Sequence, residues 1–315
     1  MTERFRILSL DGGGVRGAYS ASVLKEIEES TRKRIVDHFD LIAGTSTGGI
    51  IAIALGLGLS AAQILEFYQK RSADIFPSTG VYQRWRSRVR RVFAPKYPGD
   101  ALENALASVF GDRLLGDSTC RLLIPSYDAI AGDVHVFKTR HNARVLQDHK
   151  RRAVEVALAT SAAPTFLPMS SSSWGQKFLD GGVWANCPAA LAVLEAMAVL
   201  GVPLEAIHLL SIGTTTEPFS IDDRAAGGGL MHYRLAVIEL LEQAQAVGSW
   251  AQTRLLLRDR ATRIDSVVRA KRFPLDDAQG VDGLIGLGIK DGRHRASEIA
   301  SRFLDTPAAQ FVPVP

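Results

Sequence analysis

Two rhythms of apolar residues alternate along the chain. The first is a set of short, nearly unbroken apolar runs that end in glycine or polar residues: "RFRILSL" (4–10), "HFDLIAG" (38–44), "CRLLIPSYD" (120–128), "VHVFKT" (134–139), "KFLDGG" (177–182), "AIHLLSIGT" (206–214) and "TRIDSVV" (262–268). Runs of this length and bounding predict buried strands. The second is helical spacing. "VRGAYSASVLKEIEES" puts Ala18, Val23, Leu24 and Ile27 on one face. "SAAQILEFYQKRS" begins with Ser60 as an N-cap. "RRAVEVALATSAAP" is helical up to its Ser-Ala-Ala-Pro break. "PAALAVLEAMAVLG" carries Pro188 at its start and Gly201 at its stop. The apolar "GGIIAIALGL", the long "LMHYRLAVIELLEQAQAVGSWAQTRLLLRD" and a closing "GRHRASEIASRFL" complete the helices.

Strands alternating with helices predict an α/β protein with a mostly parallel sheet and helices on both faces. The whole chain, 1–315, is expected to form one domain, interrupted by a variable basic insert at about residues 78–99. "STGVYQRWRSRVRRVFAPKYPG", "SSSSWGQK" and "AAGGG" are expected to be mobile loops.

Composition narrows the class. With 315 residues and 46% hydrophobic content, the chain can bury one large core. Cys120 and Cys187 are its only cysteines, which fits a reducing compartment and no disulfide framework. The longest apolar run, Gly49 to Leu59, falls far short of the roughly 20 residues a membrane span needs. The expectation is therefore a soluble, cytoplasmic protein whose membrane contact, if any, is peripheral. A net charge of +4 suits weak attraction to an anionic surface and gives no reason to expect DNA binding.

The candidate chemistry begins at "LSLDGGGVRG" (8–17), where Gly12, Gly14 and Gly17 spell G-x-G-x-x-G between a strand and a helix. A dinucleotide-binding turn would also need an acidic residue at the far end of the next strand, for the ribose. Asp40 stands at the wrong end of that strand, and Asp11 sets a negative charge beside the supposed phosphate. The second strand ends instead in "GTSTG", Gly44 to Gly48, which has the G-x-S-x-G form of a nucleophile elbow. The alternative is a tight turn whose Ser46 merely caps the following helix. Loops after neighbouring parallel strands share one crevice. The glycine loop, Gly12, Gly13, Gly14, Arg16 and Gly17, therefore reads as an oxyanion hole in which the backbone N–H groups of the Gly13 and Gly14 region hold the oxyanion.

Activating Ser46 requires a base. "FLDGG" sets Asp180 at the end of a strand just before two glycines, where a carboxylate can enter the crevice. None of the seven histidines has a comparable loop setting, although His232 and His294 follow the acid in the order an α/β-hydrolase triad would need. No cluster of His, Cys and carboxylates shows metal-ligand spacing, so neither a metal nor a cofactor is expected.

With these residues in hand, the chain resembles the patatin-like phospholipases, a family of lipid acyl hydrolases. "DGGGVRG", "GTSTG" and "DGG" carry the resemblance, in this order, with support from "ATSAAPTFLP", "LSIGT" and "RIDSVV". The resemblance implies a three-layer α/β/α sandwich and hydrolysis by a Ser46–Asp180 pair without histidine or metal. Arg16 matches the family's basic position in the first motif, where it either lines the substrate site or pairs with a local carboxylate. "DGGVWAN-P" looks most like bacterial phospholipase effectors of cyclic-oligonucleotide antiphage (CBASS) defence, with Cys187 standing where Asn is expected. That implies a membrane phospholipid substrate, a cyclic di- or trinucleotide activator and a homo-oligomer on activation. Its ligand contacts would come from the arginine-rich insert or from Arg269, Lys271 and Arg272. "RWRSRVRR", with Trp85 among Arg84, Arg86, Arg88, Arg90 and Arg91, reads either as a solvated basic surface or as a membrane-docking segment. Two rivals stay open: a constitutive lipase, and a nucleotide-binding signalling module with a vestigial site.

Overall fold

The computed structural model describes residues 4–77, 96–217, 236–269 and 272–315. The strands are β1 (Phe5–Leu10), β2 (Leu41–Gly44), β3 (Arg121–Asp128), β4 (Asp133–Lys138), β5 (Ser170–Ser171), β6 (Lys177–Asp180), β7 (Ile207–Ile212) and β8 (Ala261–Ile264). They form one sheet in the order β5-β6-β3-β2-β1-β7-β8, with β4 paired to β3. The run β3-β2-β1-β7-β8 is parallel, whereas β4, β5 and β6 pair antiparallel at one side. The architecture is the expected α/β/α sandwich with a mostly parallel sheet.

Successive residues of a strand point to opposite faces, and both faces here are covered. On one side Ile7, Leu41, Leu123 and Leu209 pack with Ala189 and Val193 of α7 (Ala189–Leu194) and Leu257 of α8 (Ala236–Leu257). On the other, Leu8, Ile42 and Ile124 meet α1 (Gly17–Thr31), α2 (Thr47–Gly56), α3 (Ala61–Ile75), α4 (Asp100–Phe110), α5 (Ala153–Thr160) and α9 (Val281–Phe303). A short α6 (Gly182–Ala185) follows β6 directly. Ser60 caps α3 as expected, in a capping box with Gln63.

Three local expectations change. The closing helix starts at Val281, eleven residues before the expected Gly292. Its glycines disguised it: a Cβ at Gly288 or Gly292 would strike Tyr19, Ser22, Val23 or Glu26 of α1, so their absence of side chain lets the two helices lie in contact. The segment "SSSSWGQK" is a hairpin that supplies β5 and leads into β6, and α4 is an added element. The arginine-rich run, His232 and Lys271 lie outside the described residues. Among the described residues no helix is long and apolar enough to cross a membrane.

One feature of register positions the site. β3 pairs with β2 through Arg121–Leu123 and with β6 through Ser126–Asp128, while β4 occupies its opposite flank. β2 and β6 therefore share one flank and run toward each other. The carboxyl end of β2 and the carboxyl end of β6 meet head to head, and those ends lead to Ser46 and Asp180.

Candidate active site

Ser46 sits between β2 and α2 with φ 53° and ψ −122°, a left-handed backbone that is costly for a non-glycine residue. The flanking glycines are demanded by packing. A Cβ on Gly44 would land on the Gly48 carbonyl, and one on Gly48 would land on the Leu10 carbonyl. Both residues must lack a side chain for the strand to turn this sharply into the helix. The turn is held from outside as well. The Ser46 N–H donates to Thr160 Oγ1 at 3.0 Å, and the Thr160 hydroxyl donates onward to the Pro125 carbonyl at 2.6 Å. Ser46 is thus more than a helix cap: its side chain makes no capping bond to α2.

Asp180 is 3% exposed. The Gly182 N–H donates to its Oδ1 at 2.6 Å, and the Ser46 hydroxyl lies close enough to favour its charged form. Burial pushes the carboxyl up to about 6, against the pull of those two donors. A carboxyl poised there is mostly ionised at neutral pH yet remains a competent proton acceptor.

The glycine loop closes over the same point. Gly12 approaches so closely that a Cβ would collide with the Asn186 side chain and touch Ser46 Cβ at 3.3 Å. Its N–H groups divide into two sets. Gly12 donates to the Asn186 carbonyl at 3.0 Å and Arg16 to the Gly13 carbonyl at 3.1 Å, while Gly17 donates to the Gly14 and Val15 carbonyls. Those three are committed to holding the loop. Gly13 and Gly14 have no acceptor among the described residues, and both line the cavity that contains Ser46 and Asp180. The Arg16 guanidinium donates to the Thr215 carbonyl at 3.4 Å.

That cavity is walled by Ile50, Phe67, Ile75, Phe76, Phe166 and Leu167. Thr47 at the amino end of α2 also lines it, so the positive end of that helix faces the same space. Among the described histidines none lines it. His141 is instead buried against Glu195, with Nε2 3.1 Å from Oε1, and His294 is exposed on α9. Among the described residues no group of three or more His, Cys, Asp or Glu is placed to hold a metal ion.

Two supports escaped sequence reasoning. Asp11, directly before the glycines, is buried beneath the loop and pairs with Arg263 at 2.7 Å. Arg263 also bonds Asp265 at 2.7 Å and the Ser211 hydroxyl at 2.7 Å. The flanking carboxylates hold its guanidinium charged, well above its ordinary range. Asp265 in turn accepts from the Thr215 N–H and the Thr216 hydroxyl, so "RIDSVV" braces the loop after β7. Cys187 lies beside this cluster, its thiol pushed up to about 12 by burial and by Asp11. Both Cys120 and Cys187 are free and buried.

A hydroxyl on a strained strand-to-helix turn, a buried carboxyl and unpaired N–H groups in one apolar cavity define the class of acyl hydrolases. Residues 8–193 match the family model for patatin-like phospholipase, and the chain belongs to that family. It is 33% identical to a "cGAMP-activated phospholipase" of Vibrio cholerae, over 99% of this chain and 97% of that protein. It is 30% identical to a protein of the same description from Pseudomonas aeruginosa, over 97% and 91%. The crystal structure of VipD from Legionella pneumophila aligns with 96% of this chain and 67% of its own, at 11% identity and a TM-score of 0.48.

Proposed function

We propose that the chain hydrolyses ester bonds of membrane glycerophospholipids through Ser46 and Asp180, and that a cyclic nucleotide switches it on. The observation that carries the catalytic half is the meeting of Ser46, Asp180, Gly13 and Gly14 in one apolar-walled cavity. The Ser46 hydroxyl attacks the ester carbonyl carbon as Asp180 takes its proton. The carbonyl electron pair moves onto oxygen, which the Gly13 and Gly14 N–H groups stabilise. Collapse expels the lysophospholipid alcohol, which recovers the proton from Asp180. Asp180 then deprotonates a water that attacks the acyl-Ser46 ester, releasing the fatty acid and restoring the serine. Ile50, Phe67 and Phe166 flank the acyl chain. No metal takes part.

The regulatory half is supported by the description of the two full-length relatives as cGAMP-activated. A phospholipase free in the cytoplasm would attack its own cell's membrane, so an off state is needed. A cyclic di- or trinucleotide activates only by binding the active state more tightly than the resting one; a hundredfold preference supplies about 2.7 kcal/mol. Arg269 and Arg272 are the basic candidates for its contacts among the described residues. Homo-oligomerisation on activation and a role in antiphage defence complete the reading.

Hydrolysis of defined phospholipids by wild type and Ser46→Ala, with and without a panel of cyclic di- and trinucleotides and beside light scattering, tests both halves. Release of fatty acid only by wild type, and only with one nucleotide class, is expected. Full activity without ligand would leave a constitutive lipase, and no activity under any condition would favour a vestigial site.

A further inference from the structure

We infer that the tips of the β3–β4 and β5–β6 hairpins form the surface that enters the bilayer, with Trp174 and Ile130 as its anchors. The inference rests on the lipid acyl hydrolase reading, because a bilayer is then where substrate must come from.

Register gives the direction. Asp180 pairs with Ser126, at the level of Ser46, and Phe178 pairs with Asp128. β6 therefore descends onto the site from beyond the crevice, and the turn before it lies on the crevice side of the sheet. The β3–β4 turn continues past Asp128 in the same direction. Each residue of strand adds about 3.3 Å, so both turns stand beyond the catalytic level, at the end of the sheet that carries Ser46 and Asp180. The second hairpin is also continuous with the site. Ala163 to Leu167 line the cavity, Met169 and Trp174 follow, and the hairpin ends at Asp180.

Among the described residues these hairpins leave apolar side chains exposed, at the turns and, for Met169, just before β5: Ile130 is 64% exposed, Val134 and Met169 49%, and Trp174 46%. Trp174 has the amphipathic setting of an interfacial anchor. One ring face lies 4.4 Å from the buried Arg151 guanidinium, which fixes the indole without covering it. Lys177 is exposed beside it and suits a lipid phosphate, while the exposed Asp133 on the neighbouring turn opposes an anionic surface. Apolar insertion thus outweighs charge here, and binding through this surface is expected to depend only weakly on salt.

The test uses the full chain carrying Ser46→Ala, so that lipid is bound but not consumed. An environment-sensitive fluorophore is attached at Ile130→Cys, at Trp174→Cys or, as a control, at Leu255→Cys. Leu255 is 76% exposed but lies at the end of α8 that leads into the start of β8, at the opposite edge of the sheet. With phosphatidylethanolamine–phosphatidylglycerol vesicles, a blue shift is expected at positions 130 and 174 and none at 255. On the Ser46→Ala background, Ile130→Ser with Met169→Ser and Trp174→Ser should weaken vesicle partitioning roughly tenfold, and the same three substitutions with Ser46 intact should leave turnover of a short soluble ester unchanged. A shift at 255 equal to that at 130 and 174, an unshifted label on vesicle-bound protein, or undiminished partitioning of the triple variant would overturn the inference. Failure to bind vesicles at all would overturn it too. Because binding is read without hydrolysis, that result is separable from failure of the catalytic reading, which the soluble ester reports.

Discussion

Replacing Asp180 with Asn is expected to abolish activity and to make the protein more stable at alkaline pH. Burial raises this carboxyl from 3.8 to about 6, so ionised Asp180 is disfavoured in the folded state relative to the unfolded one. The shift corresponds to about 3 kcal/mol. The sign follows from the protons bound. Below pH 3.8 the group is protonated in both states and costs nothing; above about 6 it is ionised in both and the full cost is present. Asn keeps the acceptor for the Gly182 N–H and offers an amide N–H to the Ser46 oxygen, so the geometry has partners for both contacts. The variant should gain up to about 3 kcal/mol at pH 8 and roughly half of that at pH 5. Denaturant unfolding of both proteins across this range measures it, since every other titrating group cancels in the difference. An Asp180→Asn protein that is less stable than wild type at pH 8, or whose advantage is the same at every pH, would refute the reasoning.

Other expectations follow from the same geometry. Ser46→Gly relieves the φ of 53° and should stabilise the fold by about 1 kcal/mol while removing hydrolysis; urea titration beside an activity assay checks both. Turnover of a soluble ester should fall as pH drops through about 6, where Asp180 becomes protonated; a pH–rate profile flat from 5 to 8 would count against Asp180 as base. Arg263→Met leaves the buried Asp11 and the partly buried Asp265 without their cation and should cost about 3–5 kcal/mol, read as a lowered melting temperature. A chelator should leave hydrolysis unchanged; loss of activity restored by a divalent ion would contradict the metal-free mechanism.

Much of this site was legible because its parts are local. Ser46 announces itself through Gly44 and Gly48, whose missing side chains the turn requires. Asp180 stands out because a carboxylate at a strand end before two glycines has few purposes other than to enter a crevice. What joins them was not legible. Thr160 reaches Ser46 from 114 residues away and Arg263 reaches Asp11 from 252 residues away, contacts that only tertiary packing creates. The glycine loop was legible as a source of N–H groups around Gly13 and Gly14, but the Asn186, Gly13 and Gly14 carbonyls that engage Gly12, Arg16 and Gly17 were not. The early turns of α9 were hidden by Gly283, Gly286 and Gly288. These weaken helical propensity, whereas the contact of Gly288 and Gly292 with α1 offsets it. The antiparallel arrival of β6 has no local signal, yet it is what brings Asp180 to Ser46.

The most direct test of the central claim is covalent. The protein is incubated with a fluorophosphonate probe in the presence of cyclic GMP–AMP and the modified peptide is identified by mass spectrometry. A single adduct on Ser46, absent from Ser46→Ala and strongly slowed in Asp180→Asn, is predicted. An adduct at another residue, or labelling that persists without Ser46, would contradict the account.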